Sequence, residues 1–350
     1  MVGLDVGGAN LKGCGITLDE TGNPQDESYS SDHFPIWLRE RAKLWGLVSR
    51  TVSRLSGNRT PDLVSVVMTA ELSDTFETKR EGVITIVKGI SNVLTDIPIV
   101  YPSLDLKIMQ PQEVLESPLS VAAANWPVLG WAIGREVSDC ILIDVGSTTT
   151  DIIPIRDGLP SIVGKDDTTR LISGELVYTG TLRTDVSSIL RSVSIGGESC
   201  RVSSEHFATS GDVHLLLGHI TEDQYTADTA DNRGKSFAEC MARLARVVCG
   251  DFETLSEEVI VEIARQAWIQ QLNDIGAAVL QVCHRMSIDP KEESFVFSGI
   301  GAEFLGHAAV TPLGGTNATY LKDMLGINGS VAATAYSAAL YAGTKWRNAP

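Results

Sequence analysis

The sequence predicts an α/β protein of two related domains with a cleft between them, and three strand-turn stretches carry that prediction. Val2-Gly-Leu4-Asp5-Val6-Gly7-Gly8 is an apolar strand ending in Asp-x-Gly, continued by Ala9-Asn10-Leu11-Lys12. Ile141-Leu-Ile-Asp144-Val-Gly146-Ser147-Thr148-Thr149-Thr150-Asp151 repeats the arrangement. A third apolar strand in Glu293–Leu305 runs through Gly299-Ile300-Gly301 into a helix start. Glycine at such a turn lets a phosphate approach backbone N–H groups, because no Cβ stands in the way. An aspartate at the strand's end is placed to hold a divalent cation, directly or through water. One Asp-x-Gly is ordinary chain punctuation. Two, each after an apolar strand, imply related halves whose turns face each other.

With 350 residues and 43% hydrophobic content, the chain can bury two cores. We divide it at residue 137, giving a first domain 1–137 and a second domain 138–327. A C-terminal helix within 328–350 is expected to pack back on the first. The net charge of −16 argues against nucleic-acid or anionic-membrane partners, so a bound phosphate needs local cations or a metal. The six cysteines form no C-x-x-C pair and suit reduced thiols in apolar settings. The N-terminus enters a strand at once, and no apolar run has the ~18 residues a membrane span needs. The expectation is a cytoplasmic protein, with a homodimer as one assembly open to it.

In the first half, Cys14–Leu18 is expected to pair with the opening strand, with a turn at Gly22-Asn23-Pro24 beyond it. Pro35–Leu55 reads as an amphipathic helix carrying Leu38, Ala42, Trp45, Leu47, Val48 and Leu55. Leu63–Met68 is a strand, Thr75–Gly82 a charged loop, and Val83–Leu94 a helix. Ile97–Tyr101 and Leu106–Met109 are short strands, and Pro111–Arg135 supplies one or two helices. In the second half, Asp151–Ile155 and Leu159–Val163 form a hairpin. Glu175–Leu182 and Val193–Ile195 read as strand, and Asp212–Leu217 as a buried helix. Tyr225–Lys235 is a polar loop and Ser236–Cys249 a helix. Thr254-x-x-Glu257 suggests a capping box for a long helix ending near Met286. The Ala-rich Val331–Lys345 is the last helix.

Beyond Asp5 and Asp144, the candidate site residues differ in how much each residue type says. Lys12 is either a solvated hairpin lysine or a cation within reach of a phosphate on the first turn. Asp151 either caps its turn or joins the metal ligands. Asp228-Thr-Ala-Asp231-Asn232-Arg233-Gly-Lys235 puts carboxylates beside cations; it is a solvated cluster, or it offers Arg233 and Lys235 to a diphosphate while Asp231 helps hold Mg²⁺. His214, in an apolar stretch, reads first as a core histidine and second as a base.

The order of the three turns resembles the actin, sugar kinase and Hsp70 superfamily, in which the first two turns bracket phosphates and the third borders adenosine. Several local words narrow this. They are Met68-Thr-Ala-Glu71-Leu-Ser-Asp74-x-Phe76-Glu77-Thr-Lys79-x-Glu81-Gly82, Gly174-Glu-Leu-x-Tyr178-x-Gly180-x-x-Arg183-Thr184, Phe207-Ala-Thr-x-x-Asp212-Val-His214, Asp228-Thr-Ala-Asp231-x-Arg233-Gly and Gly299-Ile-Gly301-Ala-Glu303-Phe304-Leu305. With the Asp144 turn, they resemble proteins of tetrahydromethanopterin- and methanofuran-linked one-carbon metabolism. The resemblance covers nearly the full length and points to the hydantoinase A/oxoprolinase-like branch, within it to enzymes that make the furan–tyramine ether of methanofuran. Asn232 departs from it, standing where the loop's Asp-Gly-Arg form has glycine. Asparagine tolerates φ > 0 better than most residues.

The resemblance implies a transferase that condenses an aminomethylfuran methyl diphosphate with γ-glutamyltyramine, giving an ether and diphosphate. It implies Mg²⁺ on Asp5 and Asp144, with Gly7, Gly8, Asn10, Gly146, Ser147, Thr148, Gly299 and Gly301 around the diphosphate and Lys12, Arg233 or Lys235 adding charge. A base must take the phenol proton, whose unperturbed pKa is ~10. Glu71, Asp74, Glu77 and His214 are the candidates, and the sequence does not choose among them. Two other readings use the same turns: an ATP-dependent small-molecule kinase or hydantoinase/oxoprolinase-type enzyme, and a non-enzymatic actin-like nucleotide switch.

Overall fold

The structure is a computed structural model and describes residues 1–37 and 41–347. Leu38 of the expected first helix and the last three residues of the C-terminal segment lie outside the described residues. The chain divides into two compact units, one of residues 1–140, 153–167 and 321–350, the other of 141–152 and 168–320. Residues 153–167, placed by sequence in the second domain, cluster with the first unit.

The first unit holds a sheet of β1 (Val2–Val6), β2 (Asn10–Leu18), β3 (Pro24–His33), β4 (Val64–Met68), β5 (Ile99–Pro102) and β6 (Ile108–Met109) in the order β3-β2-β1-β4-β5-β6. β1 is buried along its whole length, so its residues are apolar except Asp5, next to its last residue. It runs antiparallel to β2, with Asp5 opposite Lys12, and parallel to β4. β3 is polar and was not legible as a strand; at the sheet edge it has one neighbour and little to bury. The helix Ala333–Arg347 returns to this unit. Its alanines let it lie flat on β1, and a Cβ on Gly3 would stand 1.9 Å from the Ala335 carbonyl oxygen.

Two helix starts differ from expectation. The first helix spans Arg41–Leu55. The preceding Phe34 and Ile36 donate N–H bonds to the Ala9 and Gly8 carbonyls, which ties that segment to the first turn. The second helix spans Lys79–Val93, starting before Val83, because Thr78 Oγ1 accepts the Glu81 N–H and Glu81 reaches back to the Glu77 N–H. Lys79–Gly82 of the charged stretch are thus the capped first turn, while Thr75–Thr78 lie outside the helix as expected.

In the second half come β7 (Cys140–Val145), β8 (Thr150–Arg156), β9 (Leu159–Pro160), β10 (Leu176–Val177), β11 (Ser192–Ile195), β12 (Glu198–Arg201), β13 (Ser294–Ser298) and β14 (Asn317–Tyr320). Their main order, β10-β8-β7-β13-β14, matches β3-β2-β1-β4-β5, and β7·β13 and β13·β14 are parallel as β1·β4 and β4·β5 are. Each half therefore builds the same α/β core around a strand whose next-to-last residue is an aspartate. The helix Glu257–Met286 packs Ile275, Val279 and Val282 against Phe295 and Phe297. Its N-cap is Ser256, not the expected Thr254 box: Thr254 Oγ1 is held by Asp251, 2.9 Å away. Of Glu175–Leu182 only Leu176–Val177 is strand; the rest bends away to bond the Gly146 turn. None of the six cysteines is in a disulfide among the described residues; Cys14, Cys140, Cys240 and Cys283 are buried, Cys200 is half-buried, and Cys249 is exposed. Among the described residues no helix is long and apolar enough to cross a membrane.

Candidate functional site

The two Asp-x-Gly turns close in the same way. In the first unit the Gly7 N–H donates to the Asn10 carbonyl at 3.0 Å; in the second, the Gly146 N–H donates to the Thr149 carbonyl at 2.9 Å. A Cβ on Gly7 would stand 3.1 Å from the Asn10 carbonyl oxygen, so the tight turn depends on glycine. Gly8 lies against the Trp37 ring, and Asn10 Oδ1 pairs with His33 Nδ1 at 3.2 Å.

Asp5 is 8% exposed at the end of β1. Burial raises its pKa, opposed by the charge of Lys12 and a side-chain hydrogen bond from Thr334. Its Oδ1 is buried and accepts no hydrogen bond from the described residues. A carboxylate oxygen stripped of water and left without a partner is costly, so this atom fits a cation or a bound water. Thr334, near the start of the last helix, was not singled out by sequence; only the tertiary return of that helix brings it to Asp5.

In the second unit Asp144 ends β7 opposite Ser298. The Gly299-Ile-Gly301 turn closes over the same strand end. A Cβ on Gly299 would stand 2.2 Å from the Val145 carbonyl oxygen and 2.9 Å from Asp144 Oδ1, and Gly299 has φ 84. The Gly301 N–H donates to the Val145 carbonyl at 3.2 Å. Asp144, Gly146, Ser147, Thr148, Gly299 and Gly301 therefore form one group. Gly299→Ala is expected to destabilise the protein by about 2 kcal/mol or more, from left-handed strain and the Val145 clash. A thermal melt checks this; an unchanged midpoint contradicts the tight packing at Asp144.

Other candidates have partners of their own. Asp151, assigned to the metal, accepts from the buried Arg170 guanidinium at 2.8 Å, which also donates to the Glu175 carbonyl. Asp231, likewise assigned, faces Arg243 at 3.0 Å and Arg246 at 3.4 Å. Burial works to raise its pKa, but the Arg233 N–H and Arg243 hold it below the usual carboxylate range. Arginines thus occupy both carboxylates. Lys235, expected on the diphosphate, donates to the Tyr225 carbonyl and lies over that ring; Arg233 is 67% exposed beside Asp231. Asn232 takes the left-handed conformation, φ 56, that glycine would serve. Among the described residues no three His, Cys, Asp or Glu side chains cluster to hold a metal by themselves.

The four base candidates separate clearly. His214 is fully buried, with its ring nitrogens paired to His219 and Gln271 at 3.0 Å each, and burial then His219 push its pKa down to about 3. It is a neutral core histidine, and as a base it has no open nitrogen. Asp74 and Glu77 are exposed. Glu71 is 1% exposed in the 3₁₀ turn Ala70–Leu72 that follows β4, and burial raises its pKa to about 7. Its Oε1 accepts the Ala123 N–H at 2.8 Å, while Oε2 is buried without a partner among the described residues. The Lys79–Asp167 ion pair, 2.6 Å, acts on it with opposite signs.

Comparison with known proteins places these features in a family. The model of the hydantoinase/oxoprolinase family matches residues 62–342. A Methanocaldococcus jannaschii protein described as (4-{4-[2-(γ-L-glutamylamino)ethyl]phenoxymethyl}furan-2-yl)methanamine synthase is 34% identical over 342 residues, covering 97% of this chain and 96% of that one. A Methanococcus vannielii protein of the same description is 33% identical over 204 residues, 58% of this chain and 90% of that one. In fold, the chain is similar to acetone carboxylase in its nucleotide-free structure, with TM-score 0.53 at 11% identity over 97% of this chain and 69% of that one. The repeated sheet order and the paired Asp-x-Gly turns agree with that likeness, and the expected actin/sugar kinase/Hsp70-like fold is the one found. The chain belongs to the hydantoinase/oxoprolinase family, in the branch of these furan methanamine synthases.

Proposed function

We propose that this protein is a transferase of methanofuran biosynthesis, joining an aminomethylfuran methyl diphosphate to γ-glutamyltyramine. The observation that carries the reading is the near end-to-end similarity to the furan methanamine synthases, whose described product contains a phenoxymethyl-furan ether. The geometry supports it with two Asp-x-Gly turns suited to phosphate oxygens and a buried carboxylate with its pKa near neutrality.

In this reaction the bond from the furfuryl methylene to the diphosphate oxygen breaks, and its electron pair leaves with diphosphate. The phenol oxygen forms the new bond to that methylene, and its proton passes to a base. Glu71 is the base we assign. Its Oε2, buried and without a partner among the described residues, is the acceptor, its pKa suits proton transfer near pH 7, and its other oxygen is anchored on Ala123. Mg²⁺, when bound, supplies charge neutralisation for the departing diphosphate. The unpartnered Asp5 Oδ1 fits such an ion in the first unit, and Asp144 is the corresponding carboxylate in the second.

The test is diphosphate release by the purified protein with Mg²⁺ and both substrates, ATP omitted. Release that requires both substrates, with the ether detected by mass, is the expected result. No release, with phosphate appearing from ATP instead, removes the transferase reading in favour of an ATP-dependent enzyme of the same fold.

A further inference from the structure

A base that takes the phenol proton must be ionised when the phenol arrives, yet burial favours the protonated form of Glu71. The second helix lies directly against this residue. A Cβ on Gly82 would stand 2.6 Å from the Glu71 Cα and 2.8 Å from its Cβ, so the helix's first turn is pressed onto it. Lys79 precedes Gly82 by three residues and shares that helix face. Its ammonium meets the Asp167 carboxylate at 2.6 Å, and both side chains are partly buried. Asp167 opens the short helix Asp167–Ser173 and is the last residue of its segment to belong to the first unit. Lys79, Asp167 and Glu71 thus lie in one unit.

Helix stability does not call for a lysine at position 79. A cation at the first residue of a helix opposes the dipole, whose N-terminal end favours anions. Thr78 and Glu81 already cap this turn. The other charges around Glu71 face elsewhere. Arg80 and Glu81 are exposed, with Glu81 turned back to the Glu77 N–H, and Asp74 and Glu77 are exposed on the loop after Glu71. Residues 118–124, which supply the Ala123 N–H, carry no charged side chain, and neither does β4. Among the described residues one anion and one cation act on the carboxyl, Asp167 raising its pKa and Lys79 lowering it.

Resting on the transferase reading, we propose that Lys79 and Asp167 are positioning residues for the Glu71 base: held together at the helix face that covers it, they set how readily it ionises between turnovers. Lys79 stabilises the carboxylate that receives the phenol proton. Asp167 tempers that pull, without which the carboxylate is a weaker base. Both charges are partly buried, so solvent screens them less than it screens surface ions.

The readout is the ionisation of Glu71 itself, followed in the full chain by ¹³C-carboxyl NMR, with the resonance identified by its absence in Glu71→Gln. Asp167→Asn is expected to lower the midpoint by about half a pH unit or more, and Lys79→Met to raise it by about as much. The double variant falls between them, and Lys79→Arg, which keeps the cation, stays near wild type. The acid limb of kcat/KM moves with the midpoint in each variant. A tie that only held the fold would weaken thermal stability in both single variants and would not move the midpoint in opposite directions. Midpoints that stay in place or shift together overturn the assignment. Opposed shifts without ether formation leave the pair's role standing and remove the transferase reading; ether formation with unmoved midpoints does the reverse.

Discussion

Replacing Asp5 by asparagine is expected to cut diphosphate release by about 10³-fold or more and to leave the melting temperature equal or higher. Both expectations come from one atom. Asp5 Oδ1 is buried and accepts no hydrogen bond from the described residues, in a carboxylate whose pKa burial has raised. A charge kept there at a cost to folding is consistent with a cation or polarised water recruited at the turn. Asparagine keeps the shape, and its carbonyl oxygen can still accept from Thr334, but it removes the negative charge. Activity assays paired with thermal melts, and calorimetric titration of diphosphate with Mg²⁺, read the two effects separately. An active variant ends the ion-binding role; an inactive variant with a strongly lowered melting point makes Asp5 structural. Asp144→Asn, at the matching position of β7, carries the same expected loss of turnover with the fold intact.

Glu71→Gln should change both catalysis and the pH dependence of stability. As a base Glu71 must be ionised, so wild-type kcat/KM is expected to fall as pH drops below about 7. The variant should lose about 10²–10⁴-fold in rate along with that limb of the profile. A tyramine substrate bearing ring fluorines, whose phenol ionises more readily, should recover part of the loss, a response that a purely structural role would not produce. The stability effect has the opposite sign from the usual carboxylate. The folded pKa, about 7, lies above the ordinary 4.5, so the folded state holds the proton more tightly. Glu71 therefore favours folding most at low pH, and that contribution is lost as pH rises from 4.5 through about 7. The stability of Glu71→Gln relative to wild type should grow across that window by about 3 kcal/mol. His214 slopes the other way: its folded pKa of about 3 lies below 6.5, and stability is lost as pH falls between them. That term is common to both proteins and cancels in the comparison. Denaturant unfolding curves that stay parallel from pH 4.5 to 8 would falsify the shifted carboxylate.

The sequence by itself determined the repeated architecture. Asp5-Val-Gly7 and Asp144-Val-Gly146 each follow an apolar strand, and a pattern confined to a few consecutive residues is readable without knowing what packs on it. The Gly299-x-Gly301 turn was legible for the same reason, and the family words identified the branch. What the tertiary structure decided was which charges remain available. Asp151 and Asp231 looked like metal ligands until Arg170 and Arg243 were brought against them from elsewhere in the chain. His214 was ambiguous until Gln271, on a distant helix, engaged its ring. Glu71, one candidate among four, stands apart through burial and its bond to the Ala123 N–H. Motifs are local, but the protonation and pairing of a side chain depend on neighbours distant in sequence, and only the folded chain supplies those.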